Sequence, residues 1–412
     1  MRKVGLLIIL VLVLEVITIP SLIKQKVGDI RPALLPPATT QKKVAQKTGE
    51  TVSYLNVPSG FIIGIFAQEI EGARDLEFSP QGTLLVSSPS NGAVVALPDK
   101  NNDGVADKAI TILSRLNKPH GIAFFEGKLF VAEETQVARY NWDEASLSAK
   151  LDKVLFELPK SSGHVTRTIT FKKDGRMFVS IGSTCNVCYE KNEFLAAVIV
   201  SNAEGEKPKL WAKGLRNSVF ITVNPSTDEL WGTEMGRDFL GDNLPPDEIN
   251  IIKDNNPSTG SGPWDYGWPE CYGNKVQDSE FKDIRPVYIL VNNPHCFNTQ
   301  PPIFEIPAHS APLGLTFIDS KQFPKDWQGD LLVAYHGSWN SSVPVGYKVV
   351  RMNVKGDKIL REEDFITGFI NGSQAIARPV DVIFEPSTSS GQGGSLFISD
   401  DKGGNIYKII KK

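Results

Sequence analysis

The chain has 412 residues, 41% hydrophobic and 22% charged, with a net charge of −3. That balance excludes a disordered polyelectrolyte and provides no basic surface for a nucleic acid, so no nucleic-acid partner is expected. Its 35 glycines and 27 prolines supply the turns that many short strands need.

Met1-Arg2-Lys3 precedes an unbroken apolar run from Val4 to Leu14, which Glu15 interrupts and which continues weakly to Ile23. A basic start before such a run is an export signal, and no small-x-small cleavage site follows it. Residues 1–23 are therefore read as a signal peptide or membrane anchor, and N-terminal membrane contact is expected. Residues 24–51, rich in Lys, Pro, Thr and Gln, read as a flexible tether. The folded body should run over 52–412 in an extracytoplasmic setting, periplasmic or at the cell surface.

Phe61-Ile-Ile-Gly-Ile-Phe-Ala is a strand-like run with no blade of its own. After it, one phrase recurs six times: an apolar run, a turn, and a second run ending in a small residue. It begins at Asp75, Gly121, Thr168, Val219, Gly314 and Asp381. The early copies lie about 46–50 residues apart, the span of a four-stranded propeller blade. An insert over about 253–310, rich in Pro, Gly, Trp and Tyr, widens the fourth interval. The expected fold is all-β, a six-bladed β-propeller in which the Phe61 run completes the last blade and removes a sheet edge. Within the first repeat, Asp99-Lys-Asn-Asn-Asp-Gly-Val-Ala-Asp107 has the alternating oxygens of a calcium loop but lacks a distal bidentate Glu. A polar hairpin is the equal alternative.

Four cysteines follow. Cys185 and Cys188 form a C-x-x-C pair, while Cys271 and Cys296 stand apart. Three disulfide pairings are open. Export favours Cys185–Cys188 with Cys271–Cys296 over a redox dithiol, or over a zinc site that would want two closely spaced pairs.

Polar groups stand just ahead of the six runs: Arg74, His120, His164 with Arg167, Arg216 with Asn217, His309, and Arg378. His336 follows a second run. Radial stacking would gather these groups at one mouth of the channel. Clustered arginines suit a ligand with several carboxylates or phosphates, and their charge would hold a neighbouring imidazole neutral, fit to act as a base. G-x-S-x-G, Walker, dinucleotide and H-E-x-x-H signatures are all absent.

Several motifs occur in order: Gly163-His-Val-Thr-Arg-Thr-Ile-Thr-Phe, Gly182-Ser-Thr-Cys-Asn-Val-Cys, Gly214-Leu-Arg-Asn and Gly236-Arg-Asp-Phe-Leu-Gly-Asp-Asn. Tyr266-Gly-Trp-Pro, His336-Gly-Ser-Trp-Asn and Arg378-Pro-Val-Asp complete the series. The chain thereby resembles the glucose/sorbosone dehydrogenase family, in its sorbosone-dehydrogenase-like branch, over about residues 52–412. The resemblance implies a six-bladed propeller that binds pyrroloquinoline quinone (PQQ) and calcium and oxidises an aldose or sugar-derived aldehyde. Its small-molecule sugar and its electron acceptor are left unassigned. It further implies that His164 is the base, that Arg216 and Asn217 contact quinone oxygens, and that Arg378 holds the cofactor. Arg167, His336 and Lys348 are further cofactor candidates. The backbone carbonyls of Gly236 and Arg237 are the expected calcium donors. Ser183 stands where the glucose enzymes have an Asp that orients the base; a serine can accept a hydrogen bond but brings no charge. The alternatives are a non-catalytic propeller binding glycan or protein, and a gluconolactonase-like hydrolase.

Overall fold

The computed structural model describes residues 51–254, 262–281, 294–386 and 394–412. The signal or anchor, nearly all of the tether and parts of the insert lie outside the described residues. Six antiparallel sheets follow one another along the chain. Their innermost strands are Leu76–Phe78, Gly121–Phe125, Arg167–Phe171, Ile221–Val223, Pro312–Phe317 and Pro379–Phe384. They are numbered here as blades 1 to 6, and each is the first run of a repeat read from the sequence. In blade 4 the strand begins two residues later than the apolar phrase, at Ile221.

The Phe61–Ala67 strand pairs antiparallel with Asn405–Lys411, Phe61 opposite Lys411 and Ile63 opposite Ile409. It is the outer strand of blade 6, as expected, and it covers an edge that would otherwise be open. The insert separates Asp247–Ile252 of blade 4 from its outer strand, Phe304–Ile306. It also lends Trp264–Asp265 to blade 3, parallel to Lys209–Lys213, a pairing the sequence did not signal.

The core is divided as the ring is. Six clusters of buried apolar side chains each fill one interface between neighbouring blades: Leu85 with Ile122 (blades 1 and 2), Phe130 with Ile169 (2 and 3), Phe178 with Ile221 (3 and 4), Trp231 with Leu315 (4 and 5), Leu332 with Val382 (5 and 6), Phe397 with Leu76 (6 and 1). Near the axis, polar side chains reach across to the next blade's backbone. Asp75 accepts from Ile122 N at 2.8 Å, Asp381 accepts from Leu76 N at 2.9 Å, and Thr233 donates to Leu313 O at 2.8 Å. Buried backbone groups left exposed by short inner strands are thus satisfied from the neighbouring blade.

Candidate functional site

Within each blade the start of the first strand lies beside the end of the second: Arg167 faces Ile181, Pro312 faces Tyr335, Pro379 faces Asp400. Residues just before a first strand and just after a second therefore emerge at the same end of the ring. Two polar clusters form there.

The first cluster is built on blades 3 and 4. His164 Nδ1 lies 2.9 Å from Ser183 Oγ and 3.2 Å from Ser183 O. A carbonyl only accepts, and Ser183 Oγ gives its own proton to Cys185 O at 2.7 Å. Nδ1 therefore carries the hydrogen, and Nε2 keeps its lone pair. Burial first, and then Arg216, push the His164 imidazole down to about 3, so it is neutral near pH 7. Gly182 permits this packing, because a Cβ there would stand 2.5 Å from His164 Cβ and 2.8 Å from Asn217 Oδ1.

Arg216 is held on every side. Its Nε donates to Asn186 O and its Nη1 to Gly236 O, both at 2.9 Å; its Nη2 reaches Asn186 Oδ1 at 2.9 Å and Asp238 at 3.2 Å. Asn217 N donates to Glu234 Oε1 at 2.8 Å, while Asn217 Oδ1 and Glu234 Oε2 are buried without a hydrogen-bond partner.

The second cluster joins blades 5, 6 and 1. Asp401 takes Arg74 Nη1 at 2.8 Å and His336 Nε2 at 2.9 Å. Although burial opposes it, His336, then Arg74 and Arg378, hold this carboxyl well below the usual range. Burial first and Arg378 second push His336 down to about 4. Arg378 donates from Nε to His336 O at 3.0 Å and from Nη2 to Gly337 O, with its guanidinium over the Tyr347 ring. The two clusters are stitched together by Asn340, whose Nδ2 donates to Asp238 at 2.6 Å. On the rim above that link, Phe239 and Trp339 meet edge to face at 6.2 Å, and each remains about two-fifths exposed.

Some expected members are elsewhere. Arg167 is fully buried and spends its guanidinium on the carbonyls of His164, Thr166 and Pro159. It is the first residue of its strand, so it turns under the His164 loop instead of into the mouth. Lys348 lies on the third strand of blade 5, ion-paired with Glu362 and Asp364 of the outer strand. His120 is buried between Thr168 and the Phe220 ring. His309 braces the rim through Gly241 O at 2.7 Å. The Arg237 side chain is committed to Asp278 and Glu280, leaving only its backbone for a ligand. Both disulfides, Cys185–Cys188 and Cys271–Cys296, are formed. In the Asp99–Asp107 loop, Asp99 and Asn101 accept backbone N–H groups of Asp103 and Gly104, as in a polar turn. Asp401, Asn186, Asp238 and Glu234 were not singled out from the sequence. Asp401 carried a usable signal: it follows a second strand, in the same phase as His336 in blade 5.

A family model described as TrAA12-like matches residues 55–412. A protein of Borreliella burgdorferi described as uncharacterized is 32% identical over 379 residues, covering 87% of this chain and 92% of its own length. The pyrroloquinoline quinone-dependent pyranose dehydrogenase of Coprinopsis cinerea is 24% identical over 417 residues; the match takes in 87% of this chain but only 54% of that enzyme. The holo form of that enzyme's PQQ domain superposes with a TM-score of 0.70 at 21% identity, over 88% of this chain and 98% of the domain.

Proposed function

Since the chain belongs to the TrAA12-like family, we propose that it is a PQQ-dependent oxidoreductase that oxidises an aldose or a sugar-derived aldehyde. The observation that carries this reading is the state of His164: neutral, with Nδ1–H tied to Ser183 and Nε2 free, beside a fixed guanidinium. That is the arrangement of a general base next to an anion site.

The donor set fits a quinone bearing three carboxylates. Arg216, Arg378 and Arg74 supply positive charge at one end of the ring, and beside them the buried, unpartnered Asn217 Oδ1 offers an acceptor for an N–H of the ligand. Arg216, Asn217 and Arg378 would hold the cofactor, with His336 beside Arg378. Bound there, PQQ supplies a two-electron quinone acceptor for hydride. His164 Nε2 takes the proton of the substrate hydroxyl, while Ser183 and the Cys185 carbonyl keep Nδ1 protonated. Ser183 brings no charge to offset an imidazolium, so a slower proton transfer than with a carboxylate is expected.

Calcium belongs to the same reading, on the backbone carbonyls of Gly236 and Arg237. The Gly236 oxygen already accepts from Arg216 and keeps one lone pair. Asp238, ion-paired with Arg216 at 3.2 Å, offsets part of the added positive charge. The exposed Phe239–Trp339 pair supports a sugar as substrate, because the C–H face of a pyranose stacks on such rings. Two disulfides support an oxidising compartment, and residues 1–23 would deliver the protein there.

The test is a PQQ titration of the purified protein with calcium or with chelator, followed by aldoses and an artificial electron acceptor. Saturable binding, and bleaching of the oxidised quinone by at least one sugar, is the expected result. Failure to bind PQQ under either condition overturns the proposal.

A further inference from the structure

The loop after the second strand of blade 3 contains Cys185-Asn186-Val187-Cys188, closed on itself by a disulfide. Several supports of the first cluster come from this small ring. Cys185 O takes the Ser183 hydroxyl proton at 2.7 Å, which turns Ser183 Oγ into an acceptor for His164 Nδ1. Asn186 O receives Arg216 Nε at 2.9 Å and Trp268 Nε1 at 3.3 Å. Asn186 Oδ1 receives Arg216 Nη2 at 2.9 Å and Asp238 N at 2.8 Å, and Asn186 Nδ2 returns to Asp238 O at 3.2 Å. One ring therefore makes Ser183 Oγ an acceptor toward the base, reinforcing the tautomer that Ser183 O also favours, and directs the arginine beside it.

We propose that the Cys185–Cys188 ring is a redox-sensitive positioning device for this site. Oxidised, it holds Cys185 and Asn186 as positioning residues for His164 and Arg216; reduced, it releases both while the propeller stands. A dithiol reductant supplies two electrons and two protons, leaving two thiols and becoming a disulfide itself. The two bridges differ in access, which decides which opens first. Cys185 and Cys188 are half-buried beside the mouth. Cys271 and Cys296 are 4% and 1% exposed, shielded by the insert. Opening the ring leaves the six core clusters untouched, because none of them includes its residues. Once the bridge opens, the loop is held by the Asn186 hydrogen bonds and by the clip from Thr184 Oγ1 to Glu190 at 2.9 Å, short polar contacts with no core cluster behind them. Freed of the bridge, it gains conformations that do not present Asn186 to Arg216.

The inference rests on the PQQ reading for its simplest assay, and a second readout separates the two. In the whole protein, mild dithiol treatment followed by alkylation and peptide mass spectrometry should label Cys185 and Cys188 before Cys271 and Cys296. PQQ affinity should fall about ten- to a hundredfold, as for lost hydrogen bonds to a charged group. Circular dichroism should be unchanged, and air reoxidation should restore binding. Cys185→Ala/Cys188→Ala should behave as the reduced protein whether or not reductant is present. Asn186→Ala should lose affinity with the ring intact, and Ser183→Thr should retain the wild-type tautomer. Nitrogen-15 NMR of His164 should show a single Nδ1–H form when oxidised and mixed tautomers when reduced, with no cofactor needed. If the oxidised wild type binds no PQQ, the functional reading fails and the NMR comparison alone decides the inference. Equal affinity in the double-alanine variant, or an unaltered tautomer on reduction, would overturn it.

Discussion

His164 and Arg216 stand side by side, yet they should fail differently. His164→Gln removes the proton acceptor and leaves the cations in place. PQQ affinity should stay within a few-fold and turnover should drop by roughly 10²–10⁴. Arg216→Ala removes a charge-assisted donor and takes one partner each from Asp238 and the Asn186 carbonyl, so cofactor binding should weaken and the melting temperature should fall. A cofactor titration and a rate measurement on both variants check this. The acid side of the pH profile is a second test. The folded His164 pKa is pushed down to about 3, far below the ordinary ~6.5, so the neutral base persists as pH falls from 8 to 4. Its NMR shifts should not titrate over that range in the cofactor-free protein. A titration near pH 6.5 would mean the ring is hydrated and the burial argument fails.

At the scale of strands, the closing pair carries the clearest prediction. Ile63, 1% exposed, packs with Leu332, Val349 and Ile409 across blades 5 and 6. Ile63→Ala should cost about 2–5 kcal/mol, read as a shift of the denaturation midpoint, with the PQQ affinity of the folded fraction unchanged. This strand was legible because its apolar run had no repeat of its own. The end of the ring at which His164, Arg216, Asn217, His336 and Arg378 lie was legible too, from their places beside inner strands. Arg167 and His120 occupy the same apparent phase but point inward. Periodicity locates a strand end to within a residue or two, whereas a one-residue step reverses the side chain. Lys348 belongs to a third strand, which the repeat phrase does not cover. Asp401 was legible by its phase after a second strand, whereas Asn186 and Asp238 act through partners distant in sequence, such as Arg216 and Asn340, and no local pattern announces such pairs.

At the scale of the molecule, several carboxylic acids among the described residues are shifted by burial toward neutrality. Burial raises Glu77 to about 8, Asp247 and Glu248 to about 7, and Asp381 and Asp400 to about 6. Each folded pKa lies above its unfolded value of about 4, so the stability these groups contribute is full below pH ~4 and is lost as pH rises through 6 to 8. His336 and His164 act the other way. Their folded pKa values, about 4 and about 3, lie below the unfolded ~6.5, so their contribution is present above that pH and lost as pH falls through 4. The two sets oppose each other below pH ~6.5, whereas from about 6.5 to 8 only the carboxylates still act, so calorimetry should show the melting temperature falling as pH rises through that range. A flat profile from about 6.5 to 8 would mean that these carboxylates are already ionised and compensated.

The seam between Phe61–Ala67 and Asn405–Lys411 also governs when the protein can exist at all. The Tyr54 hydroxyl, just before that strand, meets Tyr407 across 353 positions of sequence. A ribosome delivers the early strand long before its mate, so the ring stays open until Asn405–Lys411 has emerged. Contacts of such separation form late and slowly. An interrupted product would display a bare β edge on each side of the gap, a shape suited to capture by chaperones or proteases. Completion of the chain is thereby proofread by topology: only a polypeptide carrying both halves of the seam can hide its edges.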